Sequence, residues 1–377
     1  MPAEIRKIAA FAKNLREISP SHTWRNLREF GFLATADRLA YILGGGEHYG
    51  YPCIPWRAPR GGKRVGIVGC GQFAFSQVVP HLMRLAGPVI KAVQGTDPER
   101  ARRLARYARA DYHCQDVEHL LGDPAINLLM VVTRHRLHTP YAVKALLAGK
   151  CVHLEKPLFV DRGQARELLA ASRQHPGRVN TGFNRVNSRL YGLVKQRLQA
   201  RQGSLDGLWR VEFPAPGPTN WSRQPSEGNH LFNNLVHWID FSAQLLADLG
   251  LNLNEVVYQR KSQDLHDLHL ACADGSRFRI LFAYRAFPVG LRETLHLARG
   301  GLTIRLDNFR FLSLWDDGAA ESHYYSKRLM GAKATMAKAI SLMETGQAPE
   351  FQYRLENSLR ALGQAADAMG LGPVGEP

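Results

Sequence analysis

Three stretches of this chain carry side chains or turns whose types and spacing can do chemistry. Gly69-Cys70-Gly71-Gln72-Phe73-Ala74 directly follows the apolar run Val65–Val68. Gly69 permits a tight turn, Gly71 lets the backbone approach a pyrophosphate, and Ala74 stands where helix must meet sheet. The helix that opens there favours phosphate charge at its N-terminus. Glu155-Lys156-Pro157 follows a second apolar run, Cys151–Leu154. An ammonium at the carboxyl end of a buried strand can hydrogen-bond a reacting hydroxyl and stabilise a developing alkoxide. His230, Asn233, His237 and Asp240 recur at helical spacing and share one face. An imidazole with a pKa near neutrality can shuttle the proton of a hydroxyl as hydride moves.

The residues after the second expected strand bear on which dinucleotide is bound. They read Ala92-Val93-Gln94-Gly95-Thr96-Asp97-Pro98-Glu99-Arg100. An NAD-preferring site places Asp or Glu at the end of this strand to hold the ribose hydroxyls, and here that position is Gly95. Asp97 reads instead as the cap of a helix beginning at Pro98. With no carboxylate to repel a 2′-phosphate, and with Thr96 and Arg100 able to meet it, the expectation leans to NADP(H) over NAD(H). Gly69, Gly71, Gln72, Phe73 and Ala74 complete the expected cofactor contacts.

Strands and helices must hold these residues. Arg64–Val68, Val89–Val93, Asn127–Val132, Cys151–Leu154 and Arg178–Thr181 read as buried strands. Ser76–Leu85, Pro98–Ala110 and Thr139–Ala148 read as helices between them. This alternation predicts an α/β Rossmann domain with a doubly wound parallel sheet over 63–182. From 183 to 377 the pattern changes. A strand at Leu208–Phe213 and a long helix at His230–Ala247 precede six further strands: Glu255–Lys261, His266–Ala273, Phe278–Tyr284, Thr294–Ala298, Leu302–Leu306 and Phe309–Leu314. Their short turns suit an antiparallel meander, and helices at Lys327–Glu344 and Arg354–Ala368 follow. The expected second domain is α+β, with an open, mostly antiparallel sheet for substrate binding and oligomerisation. Residues 1–62 read as a basic helical extension and linker, with helical spacing in Met1–Ile18 and His22–Leu43.

The chain has 377 residues, 45% hydrophobic and 22% charged, and a formal net charge of +16. That length accommodates two domains with cores of their own. The charge favours acidic partners, and its spread along the chain argues for an anionic small molecule rather than nucleic acid. No apolar run is long enough to span a bilayer, and Met1–Ala10 lacks the form of a secretory signal. The expected location is cytoplasmic, with no membrane partner. Five scattered cysteines show no metal spacing, so no metal site is expected.

Taken in order, these motifs resemble the glucose–fructose oxidoreductase / inositol dehydrogenase / rhizopine catabolism family. The resemblance covers roughly residues 63 to 370. It rests on Gly69-Cys70-Gly71, Thr133-Arg134-His135-Arg136-Leu137-His138, Gly149-Lys150-Cys151-Val152-His153-Leu154-Glu155-Lys156-Pro157, Gly182-Phe183-Asn184-Arg185, Glu227-Gly228-Asn229-His230 and His237-Trp238-Ile239-Asp240. It implies that Lys156 is catalytic, that the Lys156–Pro157 peptide is often cis, and that His237 is the general acid/base. It places Thr133 and His138 on the nicotinamide side of the cofactor, beside Glu155 and Lys156. Family members carry Asp four residues before the catalytic histidine, and this chain has Asn233, which cannot favour a protonated imidazole. Asn184, Arg185, Trp221, His230 and Asn233 are candidate substrate contacts.

The implied activity is hydride transfer between NAD(P) and a secondary alcohol or ketone of a sugar, cyclitol or sugar-nucleotide, by an expected homo-oligomer. A non-catalytic NADP-sensing regulator of the same family is the alternative that Asn233 and the extension raise. A third reading, a membrane- or scaffold-associated assembly protein, rests on the extension alone.

Overall fold

A computed structural model describes residues 62–214, 220–285, 291–316, 318–325 and 328–371. The expected helices of the extension lie outside the described residues. The described chain forms two compact units. One comprises 62–134, 144–154 and 336–347; the other comprises 135–143, 155–335 and 348–371.

The first sheet is parallel, with six strands in the order β3-β2-β1-β4-β5-β6. They are β1 (Val65–Val68), β2 (Ile90–Gln94), β3 (Tyr112–Cys114), β4 (Leu128–Val131), β5 (Cys151–Leu154) and β6 (Val179–Thr181). All residues of β1, β4 and β5 are buried, as strands covered on both faces require. The helix after β1 enters through a π-turn at Ala74–Val78 and continues as α1 (Val79–Ala86). The connections that follow carry α2 (Pro98–Ala108), α3 (Glu118–Gly122), α4 (His138–Leu147) and α5 (Arg162–Gln174). Asp97 caps α2 as expected, accepting from the backbone N–H groups of Glu99 and Arg100.

After α6 (Arg189–Gln199) comes the second sheet, with eight strands ordered β14-β13-β12-β11-β7-β10-β9-β8. They are β7 (Asp206–Pro214), β8 (Leu253–Arg260), β9 (Leu265–Cys272), β10 (Arg277–Arg285), β11 (Arg292–Arg299), β12 (Leu302–Asp307), β13 (Phe311–Asp316) and β14 (Ala319–Tyr324). The sheet is mostly antiparallel, but it is not the simple meander expected. β10 runs parallel to β7, with Trp209 opposite Ile280. A parallel neighbour needs a long crossover, and α7 (His230–Asp248) lies in it. The chain then ends its described part with α8 (Ala332–Thr345) and α9 (Pro349–Ala368). Among the described residues no helix is long and apolar enough to cross a membrane.

The second unit's core is aromatic. Trp209 lies edge-on to Phe241 at 5.1 Å between ring centroids, and Trp238 to Phe282 at 5.8 Å. Such pairs contribute about 0.5–1.5 kcal/mol each beyond their burial. They fix the rotation of α7 about its axis, and so the directions in which Asn233 and His237 leave it.

Candidate active site and dinucleotide loop

The glycine loop belongs to the first unit. Gly69 adopts φ +107°, a region that L side chains rarely enter. A Cβ there would also meet the Val132 carbonyl oxygen at 2.5 Å and the Cα of Thr133 at 3.0 Å. Gly71 is glycine for another reason: a Cβ there would meet nothing within 4 Å, so its backbone faces open space. Its carbonyl accepts from Phe75 N at 3.2 Å, which starts the helix at the loop itself. Ala74 is fully buried, whereas Gln72 and Phe73 are exposed. An exposed glycine backbone at the head of a helix fits an approaching pyrophosphate. At the end of β2, Thr96 and Arg100 are exposed, and Arg100 Nε pairs with Asp97 at 3.2 Å.

The other candidate residues belong to the second unit. The Lys156–Pro157 peptide is cis. The loop is held at several points. Pro157 O lies 2.7 Å from His138 Nδ1, and Leu158 O accepts from Thr139 Oγ1 at 2.8 Å. Gln164 holds Val160 N at 3.1 Å and donates to Arg136 O at 2.9 Å. His138, expected at the cofactor, is fully buried in this supporting role. Glu155 packs over Gly182, where a Cβ would stand 2.6 Å from its carboxylate, and its Oε2 accepts from Lys156 N at 3.3 Å. Glu155 therefore helps to fix the Lys156 backbone.

The Lys156 side chain is partly exposed, and among the described residues its Nζ has no hydrogen-bonding partner. Its pKa lies below the ordinary lysine value, because burial and the Arg185 charge outweigh the Glu155 carboxylate. Its positive charge in turn reaches three imidazoles. His237 is pushed well below its ordinary value by burial, Arg185 and Lys156. His135 is lowered to about 3, first by burial and then by His138 and Lys156. His230 is lowered by burial, Arg223 and Lys156. The Lys156 charge thus helps to hold all three rings in the neutral form at pH 7.

The Glu227-Gly228-Asn229-His230 segment explains itself residue by residue. Glu227 is fully buried, with its carboxylate 3.6 Å from Arg136 Nε. Gly228 takes φ +80° against Val160, and Asn229 caps α7 by accepting from Phe232 N at 3.0 Å. Glu227 O then receives the amide of Asn233 at 2.8 Å. The other Asn233 amide hydrogen points to His135 Nδ1 at 3.2 Å. Asn233 was expected to hydrogen-bond a substrate, but its donors are already used within the protein. Only Oδ1, buried and unpartnered, is left to accept a bond. An aspartate would instead set a carboxylate against the Glu227 carbonyl, so the asparagine is matched to its surroundings.

His237 is partly exposed and packs edge-on to Phe183 and Trp238, while its Nδ1 is buried without a partner. His230 stacks on Tyr284 at 5.9 Å with an 11° tilt, and Trp221, 40% exposed, lies edge-on to His135 at 4.8 Å. Asp240 turns away to accept from Ser358 Oγ at 2.6 Å.

Arg185 was expected at the substrate, but it is buried at 3% exposure, and its Nε donates to Glu293 Oε2 at 3.0 Å. Trp238 Nε1 donates to the same oxygen at 2.9 Å. Asn184 lies beside it in the chain, partly exposed, with a buried, unpartnered Oδ1. Two residues of this cluster escaped the sequence reading. Glu293 shares the inward parity of Leu295 and Leu297 along β11, so a carboxylate in an apolar alternation was the available signal. His135 lay inside a motif quoted above and received no role.

Residues 63–183 match the model of the oxidoreductase family with an NAD-binding Rossmann fold. Over these residues the chain is similar to the glucose–fructose oxidoreductase / inositol dehydrogenase / rhizopine catabolism family. The dTDP-3,4-didehydro-2,6-dideoxy-alpha-D-glucose 3-reductase of Streptomyces antibioticus is 31% identical over 148 residues, 38% of this chain and 43% of the relative. Inositol 2-dehydrogenase of Ralstonia nicotianae is 26% identical over 211 residues, 55% of this chain and 61% of the relative. The chain thus spans about half the length of the curated relatives it matches. Among solved structures, a 3-ketoreductase from Actinomadura kijaniata in complex with NADP and TDP-benzene superposes with a TM-score of 0.67 at 19% identity. That match covers 82% of this chain and 98% of the other, and it extends the shared fold into the second sheet.

Proposed function

We propose that the chain is an NAD(P)-dependent oxidoreductase acting on a secondary alcohol or ketone of a sugar, cyclitol or sugar-nucleotide. The observation that carries this reading is the Lys156 side chain, whose Nζ has no hydrogen-bonding partner among the described residues and whose charge helps to lower the pKa of His135, His230 and His237. The nicotinamide supplies or accepts the hydride. Lys156 donates a hydrogen bond to the reacting oxygen and stabilises its charge. His237, neutral at working pH, takes the hydroxyl proton in the oxidative direction. Asn233 offers Oδ1 to a substrate hydroxyl, and Trp221 and His230 present ring faces to a sugar.

The exposed backbone of Gly71 supports pyrophosphate binding, and Thr96, Arg100 and the missing acid at Gly95 support NADP(H) over NAD(H). The activities for which these relatives are named, on a dideoxysugar nucleotide and on inositol, support the substrate class. The unpartnered Nδ1 of His237 and the engaged amide of Asn233 favour, as a second reading, a protein that binds cofactor with little turnover.

The experiment is a panel of sugars, cyclitols and sugar-nucleotides, read at nicotinamide absorbance with both cofactors. Wild type should turn over at least one class, and Lys156→Ala and His237→Ala should each lose about 10²-fold or more in kcat. Cofactor binding without any turnover across the panel would support the second reading instead.

A further inference from the structure

Cys70 stands between the two glycines of the loop, 9% exposed. A Cβ built on Gly95 would lie 2.3 Å from Cys70 Sγ, 3.2 Å from Cys70 Cβ and 3.4 Å from Ala101 Cβ. Gly95 is not among the positive-φ glycines, so its backbone admits any L residue. What excludes a side chain at Gly95 is space, and the atom that fills the space is the thiol sulfur. The position is also held firmly, since Gly95 N donates to Cys114 O at 3.1 Å at the end of β2.

This strand end is where a Rossmann fold carries the carboxylate that selects NAD by its ribose hydroxyls. We infer that Cys70 is a specificity-determining residue: its Sγ occupies the volume that the stem of a ribose-binding Asp or Glu at position 95 would need, and so reserves the end of β2 for a 2′-phosphate. The electrostatic surroundings agree with this. Burial and Asp97 raise the thiol pKa, against Arg100, so Cys70 remains neutral at pH 7 and adds no charge that would repel phosphate. Arg100 is exposed on the following turn of chain. The inference rests on the reading that the loop binds a nicotinamide dinucleotide.

The test uses the full chain and reads binding and stability, without turnover. NADPH and NADH are titrated by nicotinamide fluorescence against wild type, Cys70→Ala, Gly95→Asp and the double variant, and each protein is melted without nucleotide. Wild type is expected to bind NADPH more tightly. Gly95→Asp alone should melt lower and lose about 10-fold or more in affinity for both nucleotides. Adding Cys70→Ala should restore the melting temperature and give a protein that prefers NADH, so the two substitutions are non-additive. Two results would overturn the inference. In one, Gly95→Asp alone melts like wild type and prefers NADH, meaning the sulfur simply rotates away. In the other, the double variant keeps the wild-type preference. Failure of the folded wild type to bind either nucleotide would instead overturn the dinucleotide reading, and the inference with it.

Discussion

Replacing Glu293 by alanine strands a buried guanidinium. The carboxylate is fully buried, accepts from Arg185 Nε at 3.0 Å and from Trp238 Nε1 at 2.9 Å, and lies 3.6 Å from Arg328 Nη2. Arg328 keeps other partners, since it also donates to Asn308 Oδ1 at 2.9 Å and to the Asn308 carbonyl at 3.1 Å. Arg185 loses the one carboxylate it pairs with among the described residues, and breaking a buried pair from one side costs about 3–5 kcal/mol. The orphaned indole N–H adds about 1 kcal/mol, less whatever relaxation returns. The expected loss of about 4 kcal/mol shifts the folding equilibrium by roughly 10³. Urea unfolding followed by tryptophan fluorescence measures it, and the slope should stay unchanged. Glu293→Gln keeps the volume and an acceptor for Trp238, and should cost about half as much. Adding Arg185→Met to Glu293→Ala should recover part of the loss, because the stranded charge is gone. A loss under about 1 kcal/mol for Glu293→Ala would refute the assignment of Arg185 to this pair.

Four other substitutions probe the remaining geometry. His135 titrates near 6.5 when unfolded and about 3 when folded, so the unfolded chain takes the proton first and stability falls as pH drops below about 6.5. Near pH 5 the loss is about 2 kcal/mol, and His135→Leu should flatten the profile of unfolding free energy against pH. Asp240 runs the other way: burial raises it from 3.8 to about 7, so it withdraws stability as pH rises through that window, and Asp240→Asn should remove the effect. Asn233→Asp sets a carboxylate against the Glu227 carbonyl and should cost about 2–3 kcal/mol in urea unfolding, with no gain in turnover. Gly69→Ala meets the Val132 carbonyl at 2.5 Å and should abolish nucleotide binding in a fluorescence titration.

Much of the first sheet was legible because β1, β4 and β5 are apolar throughout, which is what burial on both faces demands. β3 was missed because its three residues are half-buried or exposed and carry no apolar pattern. α5 was missed for a related reason, since only Leu168, Ala171 and Ser172 of its thirteen residues are buried. β14 is almost wholly exposed and shows no alternation. The parallel pairing of β10 with β7 was illegible in principle, because pairing partners are chosen by tertiary packing across a crossover. Lys156 and His237 were expected from motifs alone. The partnership of Asn233 with His135 and that of Arg185 with Glu293 join residues 98 and 108 positions apart, which no local spacing encodes.

The central claim is that Lys156 and His237 serve hydride transfer. Its most direct measurement supplies the 377-residue chain with reduced nicotinamide deuterated at C4 and a panel of ketosugars, then assays deuterium in the product alcohol. The account predicts stereospecific transfer of one deuterium by wild type. It also predicts a rate lower by about 10²-fold or more in Lys156→Ala and in His237→Ala, with nucleotide affinity changed far less. Transfer at the wild-type rate in both variants, or none from a wild type that binds the nucleotide, would contradict it.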